Sequence, residues 1–190
     1  MDGRECCYDE RQLTEWLKTH GLLPPPVEAP TELDSLCRCI ERGGVHHLEP
    51  APDIEQVLWQ SANRLPVPEP RVLFELLVER ERLASTGLGR GIAVPHPRSP
   101  LEGIAPAPTI GVFYPTEPIR MGAIDGQPVF ALFVLLSPTV RLHLQVLSRL
   151  AYCLKDDDFI GFLHSRPGRA ALCTRLEDLD SSLANRAVGR

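Results

Sequence analysis

The amino-acid sequence predicts an α/β domain with a mixed central sheet flanked by helices. Two observations carry this. Val129-Phe130-Ala131-Leu132-Phe133-Val134-Leu135-Leu136 is a continuous apolar run of the kind buried on both faces of a sheet. Amphipathic helical patterns alternate with it and with shorter strand candidates along residues 31–176.

From the N-terminus, residues 9–20 read as one short helix, with Asp9 as cap, Leu13, Trp16 and Leu17 on one face, and Gly21 as the stop. Pro24-Pro25-Pro26 and Pro30 then stiffen the chain, so residues 21–30 read as a linker and the main domain as residues 31–180. Thr31 is a cap for a helix through about Arg42 that presents Leu33, Leu36 and Ile40 and ends at Gly43-Gly44. A helix from Asp53 turns Ile54, Val57, Leu58 and Ala62 inward. Another opens on Pro70 and runs to about Arg82, with Val72, Leu73, Leu76 and Leu77 apolar. Gly87, Gly89 and Gly91 break that pattern; Ile92 to Val94 and Thr109 to Phe113 are strand candidates.

Ser137-Pro138 reads as a cap with proline in the first turn of a buried helix, on which Val140, Leu144, Leu147, Ala151 and Leu154 recur at helical spacing. Asp156 to Asp158 begin a helix through Leu163; Pro167 opens another reaching Cys173; the tail after Leu179 reads as frayed.

The composition, 43% hydrophobic and 24% charged over 190 residues, is that of a soluble globular protein. A net charge of −5 and a pI near 5.7 argue against nucleic acid or an anionic membrane as the main partner and suit a small basic protein partner. Met1-Asp2-Gly3-Arg4-Glu5-Cys6 carries no apolar signal region, and no stretch approaches the roughly 20 apolar residues that a membrane span needs, so the cytoplasm is the expected location. With no secretory signal, Cys6, Cys7, Cys37, Cys39, Cys153 and Cys173 are expected as reduced thiols. Cys37 and Cys39 with His46 and His47 form no convincing metal set, because a C-x-C pair on a helix points its side chains about 200° apart.

The chemistry concentrates in Arg80-Glu81 and in Ser85-Thr86-Gly87-Leu88-Gly89-Arg90-Gly91-Ile92-Ala93-Val94-Pro95-His96-Pro97-Arg98. Alternating glycines beside Ser85 and Thr86 supply hydroxyls and approachable N–H groups that suit a phosphate, although such loops are more often plain turns. His96, held between two prolines directly after a strand, sits where sheets present functional groups. His143, taken from the residues alone, is a boundary histidine beside an apolar stripe, satisfied by a carbonyl or serving a site.

From about Leu33 to Leu176 the sequence resembles the fructose and mannitol type of phosphotransferase system enzyme IIA domain, a group that includes the nitrogen-regulatory IIA proteins. Arg80-Glu81 and the segment Ser85 to His96 match that family's phosphorylation-site motif nearly residue for residue; Asp125-Gly126-Gln127-Pro128-Val129 resembles a second motif, and Ser137-Pro138 with His143-Leu144 a third.

The resemblance implies a mannitol-type IIA fold in which His96 is phosphorylated by a phosphorylated HPr-type carrier protein, Arg80 lies near the phosphoryl group, and His143 is the second active-site histidine. Ser85, Thr86 and Arg98 are the expected phosphate-binding residues. The residue after the phosphorylated histidine is commonly small or polar in the family, whereas Pro97 here has no N–H to offer phosphate, a loss Arg98 would offset. Glu81 reads as an ion-pair partner orienting an arginine or as an exposed helix-end carboxylate. The main expectation is that the group passes to a IIB-type acceptor during sugar uptake, and the alternative is that it serves as a switch for binding a regulatory target protein; no metal or cofactor is implied.

Tyr8-Asp9-Glu10-Arg11-Gln12-Leu13-Thr14-Glu15-Trp16-Leu17 resembles the wing and last helix of an excisionase-like helix-turn-helix domain that precedes IIA domains in some bacterial proteins. Residues 1–20 are thus a remnant of that module, the end of one whose start lies upstream, or an unrelated flanking helix. With no recognition helix and a negative charge, a DNA-binding regulator is the least favoured reading.

Overall fold

A computed structural model describes residues 35–101 and 105–188, with side chains through Leu179. The expected helix at 9–20, the linker at 21–30, the Thr31 cap, Leu33, Cys6 and Cys7 lie outside the described residues.

The elements are α1 (Leu36–Gly43), β1 (Val45–His47), α2 (Ile54–Ala62), α3 (Pro70–Leu83), β2 (Gly87–Gly89), β3 (Ile92–Ala93), β4 (Thr109–Tyr114), β5 (Ala131–Leu136), α4 (Val140–Cys153), α5 (Asp157–Leu163) and α6 (Arg169–Val188). The strands form one mixed sheet in the order β1-β4-β5-β3-β2. β1 runs parallel to β4 and β3 parallel to β5, while the β4–β5 and β2–β3 pairs are antiparallel.

Alternation along the central strands divides the interior in two, because successive strand residues point to opposite faces. Ile110, Val112 and Tyr114 of β4 and Ala131, Phe133 and Leu135 of β5 join Leu36, Ile40, Val146, Leu150, Phe159, Leu163, Leu172 and Leu176, so α1, α4, α5 and α6 cover one face. Phe113, Leu132, Val134 and Leu136 join Val57, Leu58, Leu73 and Leu77, so α2 and α3 cover the other.

Local signals set the helix starts. Ser35 caps α1 by accepting from Arg38 N; Asp53 caps α2 through Gln56 N at 2.9 Å; Pro70 occupies the first turn of α3, where a missing N–H costs nothing. Gly43 lies so close to β4 that an added Cβ would stand 2.3 Å from Ile110 O.

Four sequence expectations are corrected. α4 is capped by Thr139, whose hydroxyl accepts from Leu142 N at 3.3 Å, so Pro138 precedes the helix rather than opening it. The buried stripe of α4 is Leu142, Val146, Leu150 and Cys153, and Val140 and Leu144 are each 60% exposed. α6 continues helical to Val188 where a frayed tail was expected. Cys37 and Cys173 are disulfide-bonded across α1 and α6, with Cα atoms 4.9 Å apart, against the expectation of reduced thiols. Packing of two helices distant in sequence brings these sulfurs together, which spacing alone does not reveal. A further strand, β1, follows Gly44; three residues with two histidines carry no strand signal, and only pairing with β4 makes them one.

Candidate functional site

The neighbouring strands β3 and β5 run parallel, with Ala93 opposite Leu132, and the sequence places a histidine after each strand. His96 follows β3 by way of Val94 and Pro95, and the pairing extends there because Leu135 N donates to Pro95 O at 2.9 Å. His143 lies in the first turns of α4, which starts just after β5. Strand adjacency thus brings together residues 47 positions apart in sequence (143 minus 96), and their ring centroids stand 5.0 Å apart with planes at 53°. Both imidazoles are half-buried.

His96 Nδ1 lies 2.7 Å from Val94 O. A carbonyl only accepts, so Nδ1 carries the proton in the neutral ring and Nε2 keeps the lone pair. Burial holds the His96 pKa below the ordinary imidazole value, opposed by the bond to Val94 O and, more weakly, by Glu81; the Arg80 guanidinium pushes in the same direction as burial. His143 is pushed down to about 4, by burial first and then by His96 and Arg80. Near neutral pH the site therefore holds two uncharged imidazoles beside one permanent cation.

Arg80 stands in the last turn of α3 and donates from Nη1 to Ala84 O at 2.7 Å, which folds its side chain over the helix end while leaving other guanidinium hydrogens unspent. Its charge reaches both histidines. Three expected site residues thus converge: His96, His143 and Arg80.

The hydroxyls of Ser85 and Thr86, expected at a phosphate, make hydrogen bonds within the protein in this structure. Ser85 gives its hydroxyl proton to Met121 O and accepts from Gly87 N. Thr86 is buried and donates from both N (3.0 Å) and Oγ1 (2.6 Å) to the Glu81 carboxylate. Both hydroxyls are committed to holding the loop. Glu81 pairs with Thr86 rather than with an arginine, and it is not a free helix-end charge. Arg98 is exposed, with no hydrogen bond or ion pair among the described residues.

Sequence reasoning missed the Val94 carbonyl, which has no sequence signal, and the open apolar margin. Val140 and Leu144 flank His143 on the outer side of α4, and Leu83, 62% exposed, lies one turn beyond Arg80. The signal was present as a second apolar stripe on α4 that the buried one leaves without a partner.

Among the described residues no helix is long and apolar enough to cross a membrane. A nitrogen regulatory protein of Pseudomonas aeruginosa is 38% identical over 130 residues, covering 67% of this chain and 82% of that protein. A fructose-specific EIIA component of Haloferax volcanii is 36% identical over 87 residues, covering 45% of this chain and 54% of that one. The crystal structure of nitrogen regulatory protein IIA-Ntr from Neisseria meningitidis superposes with a TM-score of 0.61 at 28% identity, covering 70% of this chain and 91% of that one. The site lies inside the segment matched by a family model, residues 42–178, and with that match the chain belongs to the EIIA 2 family of the phosphoenolpyruvate-dependent sugar phosphotransferase system.

Proposed function

We propose that the chain is a regulatory phosphoryl acceptor: His96 takes a phosphoryl group from a phosphorylated HPr-type carrier protein, and the presence of that group switches binding to a target protein. The observation that carries this reading is the neutral His96 ring, proton fixed on Nδ1 by Val94 O, with His143 5.0 Å away and Arg80 close to both. The Nε2 lone pair attacks phosphorus as the P–N bond of the donor's phosphohistidine breaks, and that bond's electron pair returns to the donor ring. The new N–P bond leaves His96 with its Nδ1 proton in place. Arg80 balances charge on the transferring oxygens, and His143 takes up a proton or donates a hydrogen bond as the anion arrives.

The regulatory form rests on the relatives' printed names, nitrogen regulatory protein above all. A second reading, transfer onward to a IIB-type acceptor during sugar uptake, is favoured by the likeness to a fructose-specific EIIA component. Exposed Val140 and Leu144 beside His143 suit either protein partner.

The test is incubation with a phosphorylated HPr-type donor. Wild-type chain should gain one acid-labile phosphoryl group and His96→Ala none; label persisting in that variant would overturn the assignment. Adding a IIB-type acceptor then separates the readings, since retained label supports the switch and rapid discharge supports transport.

A further inference from the structure

Glu81 presents a chemical oddity at such a site. A carboxylate beside the landing place of an anion opposes it, yet Glu81 has no ion-pair cation among the described residues, and its field reaches His96. Both of its oxygens face Thr86. Thr86 N lies 3.2 Å from Oε1 and 3.0 Å from Oε2, and Thr86 Oγ1 lies 2.6 Å from Oε2. The path continues from there. Thr86 O accepts from Val94 N at 3.0 Å, and Val94 O accepts from His96 Nδ1 at 2.7 Å.

Resting on the phosphoryl-acceptor reading, we propose that Glu81 is the positioning residue of the site, anchoring through Thr86 and Val94 the hydrogen-bond relay that fixes the His96 proton on Nδ1 and leaves Nε2 as the attacking nitrogen. Glu81 follows Arg80 directly at the end of α3. One helix end therefore sets the cation through Arg80 and the nucleophile through Glu81, in a single rigid frame. Thr86 is only 5% exposed, so without the carboxylate its N–H and hydroxyl would be buried unpaired, and the loop would move to find water or another acceptor. Such a shift carries Val94 O with it and frees the ring to rotate or change tautomer. The negative charge contributes nothing to this role, and a neutral acceptor of the same shape performs it.

The experiment uses Glu81→Gln, Glu81→Ala and Thr86→Val in the full chain, with two readouts. The first is the ¹⁵N spectrum of the unphosphorylated imidazoles, which reports the His96 tautomer and needs no donor. The second is the rate of phosphorylation by a phosphorylated HPr-type donor. Glu81→Ala should scramble the tautomer and slow phosphorylation by about tenfold to a hundredfold, the loss that follows small misplacement of a reacting group. Glu81→Gln should restore the Nδ1–H form and most of the rate. Thr86→Val keeps the side-chain shape while removing one donor, and should show a partial tautomer change even if Glu81→Ala does not fold.

Unchanged tautomer in Thr86→Val and in whichever Glu81 variants fold would overturn the proposal. So would a Glu81→Gln protein as slow as Glu81→Ala, because charge rather than geometry would then matter. A wild-type chain that accepts no phosphoryl group would sink the phosphoryl-acceptor reading instead, while the tautomer result would still decide whether Glu81 fixes the ring.

Discussion

An imidazole is a directed nucleophile only when one nitrogen is committed to its proton, and the 2.7 Å contact between His96 Nδ1 and Val94 O makes that commitment. Motif resemblance singles out His96, His143 and Arg80 in the sequence, but the approach of the two rings to 5.0 Å is not legible there. For Ser85 and Thr86 the sequence does not reveal the hydrogen bonds they make, because a hydroxyl near a glycine loop looks the same whether it faces a ligand or, as here, Met121 O and Glu81. Arg80→Ala should slow phosphorylation by about tenfold to a thousandfold, the loss expected on removing an electrostatic clamp of about 1.4 to 4 kcal/mol. Quench-flow labelling checks this, and an unchanged rate would reduce Arg80 to a cap on Ala84 O. For His143, NMR titration of the free chain should place the pKa near the value of about 4 that burial, His96 and Arg80 impose. A phosphoryl group on His96 should raise it, because a nearby dianion favours the imidazolium. A pKa that does not respond to phosphorylation would mean that His143 is a packing residue only.

At the scale of elements, α2 and α3 were legible almost to the residue, because Asp53 and Pro70 mark their starts with side-chain chemistry that acts locally. α4 was legible as a helix and misassigned in orientation. Its sequence carries two apolar stripes, one through Leu142, Val146 and Leu150 and one through Val140 and Leu144, and periodicity cannot say which of them meets a sheet. The structure buries the first and leaves the second beside the histidines. Leu150→Ala should therefore cost about 2 to 5 kcal/mol in urea denaturation, as truncation of a buried leucine does. Leu144→Glu should shift stability by no more than about 0.5 kcal/mol, since it is a surface change. That same variant should raise the donor concentration needed for half-maximal phosphorylation. Equal stability losses at the two positions would show that both stripes are buried.

At the scale of the whole molecule, two helical layers on one sheet require both faces of β4 and β5 to be apolar, which is why the run from residue 129 to 136 announced the fold class so plainly. The disulfide between Cys37 and Cys173 was not legible, because it depends on α1 and α6 meeting across 136 residues of chain. Folding also keeps two histidines neutral in a half-buried site, and this sets a pH dependence. Unfolded histidine titrates near 6.5, whereas His143 titrates at about 4 and His96 below its ordinary value when folded. Between those values the unfolded chain binds more protons than the folded one, so stability is fully present above about pH 6.5 and declines as pH falls toward 4. Asp125, whose carboxyl is held low by the N–H groups of Arg90 and Gln127, acts only below that window, where carboxylates titrate. Urea denaturation across this range should show the decline in the wild-type chain. His143→Gln, which cannot take up a proton, should flatten the slope while leaving stability above pH 6.5 nearly unchanged. Phosphorylation of His96 should flatten or reverse it in the wild-type chain as well, because the anion lifts the His143 pKa and makes the folded state the one that gains protons. An equally steep decline in His143→Gln would mean that the acid sensitivity arises elsewhere and that His143 is not held neutral by the fold.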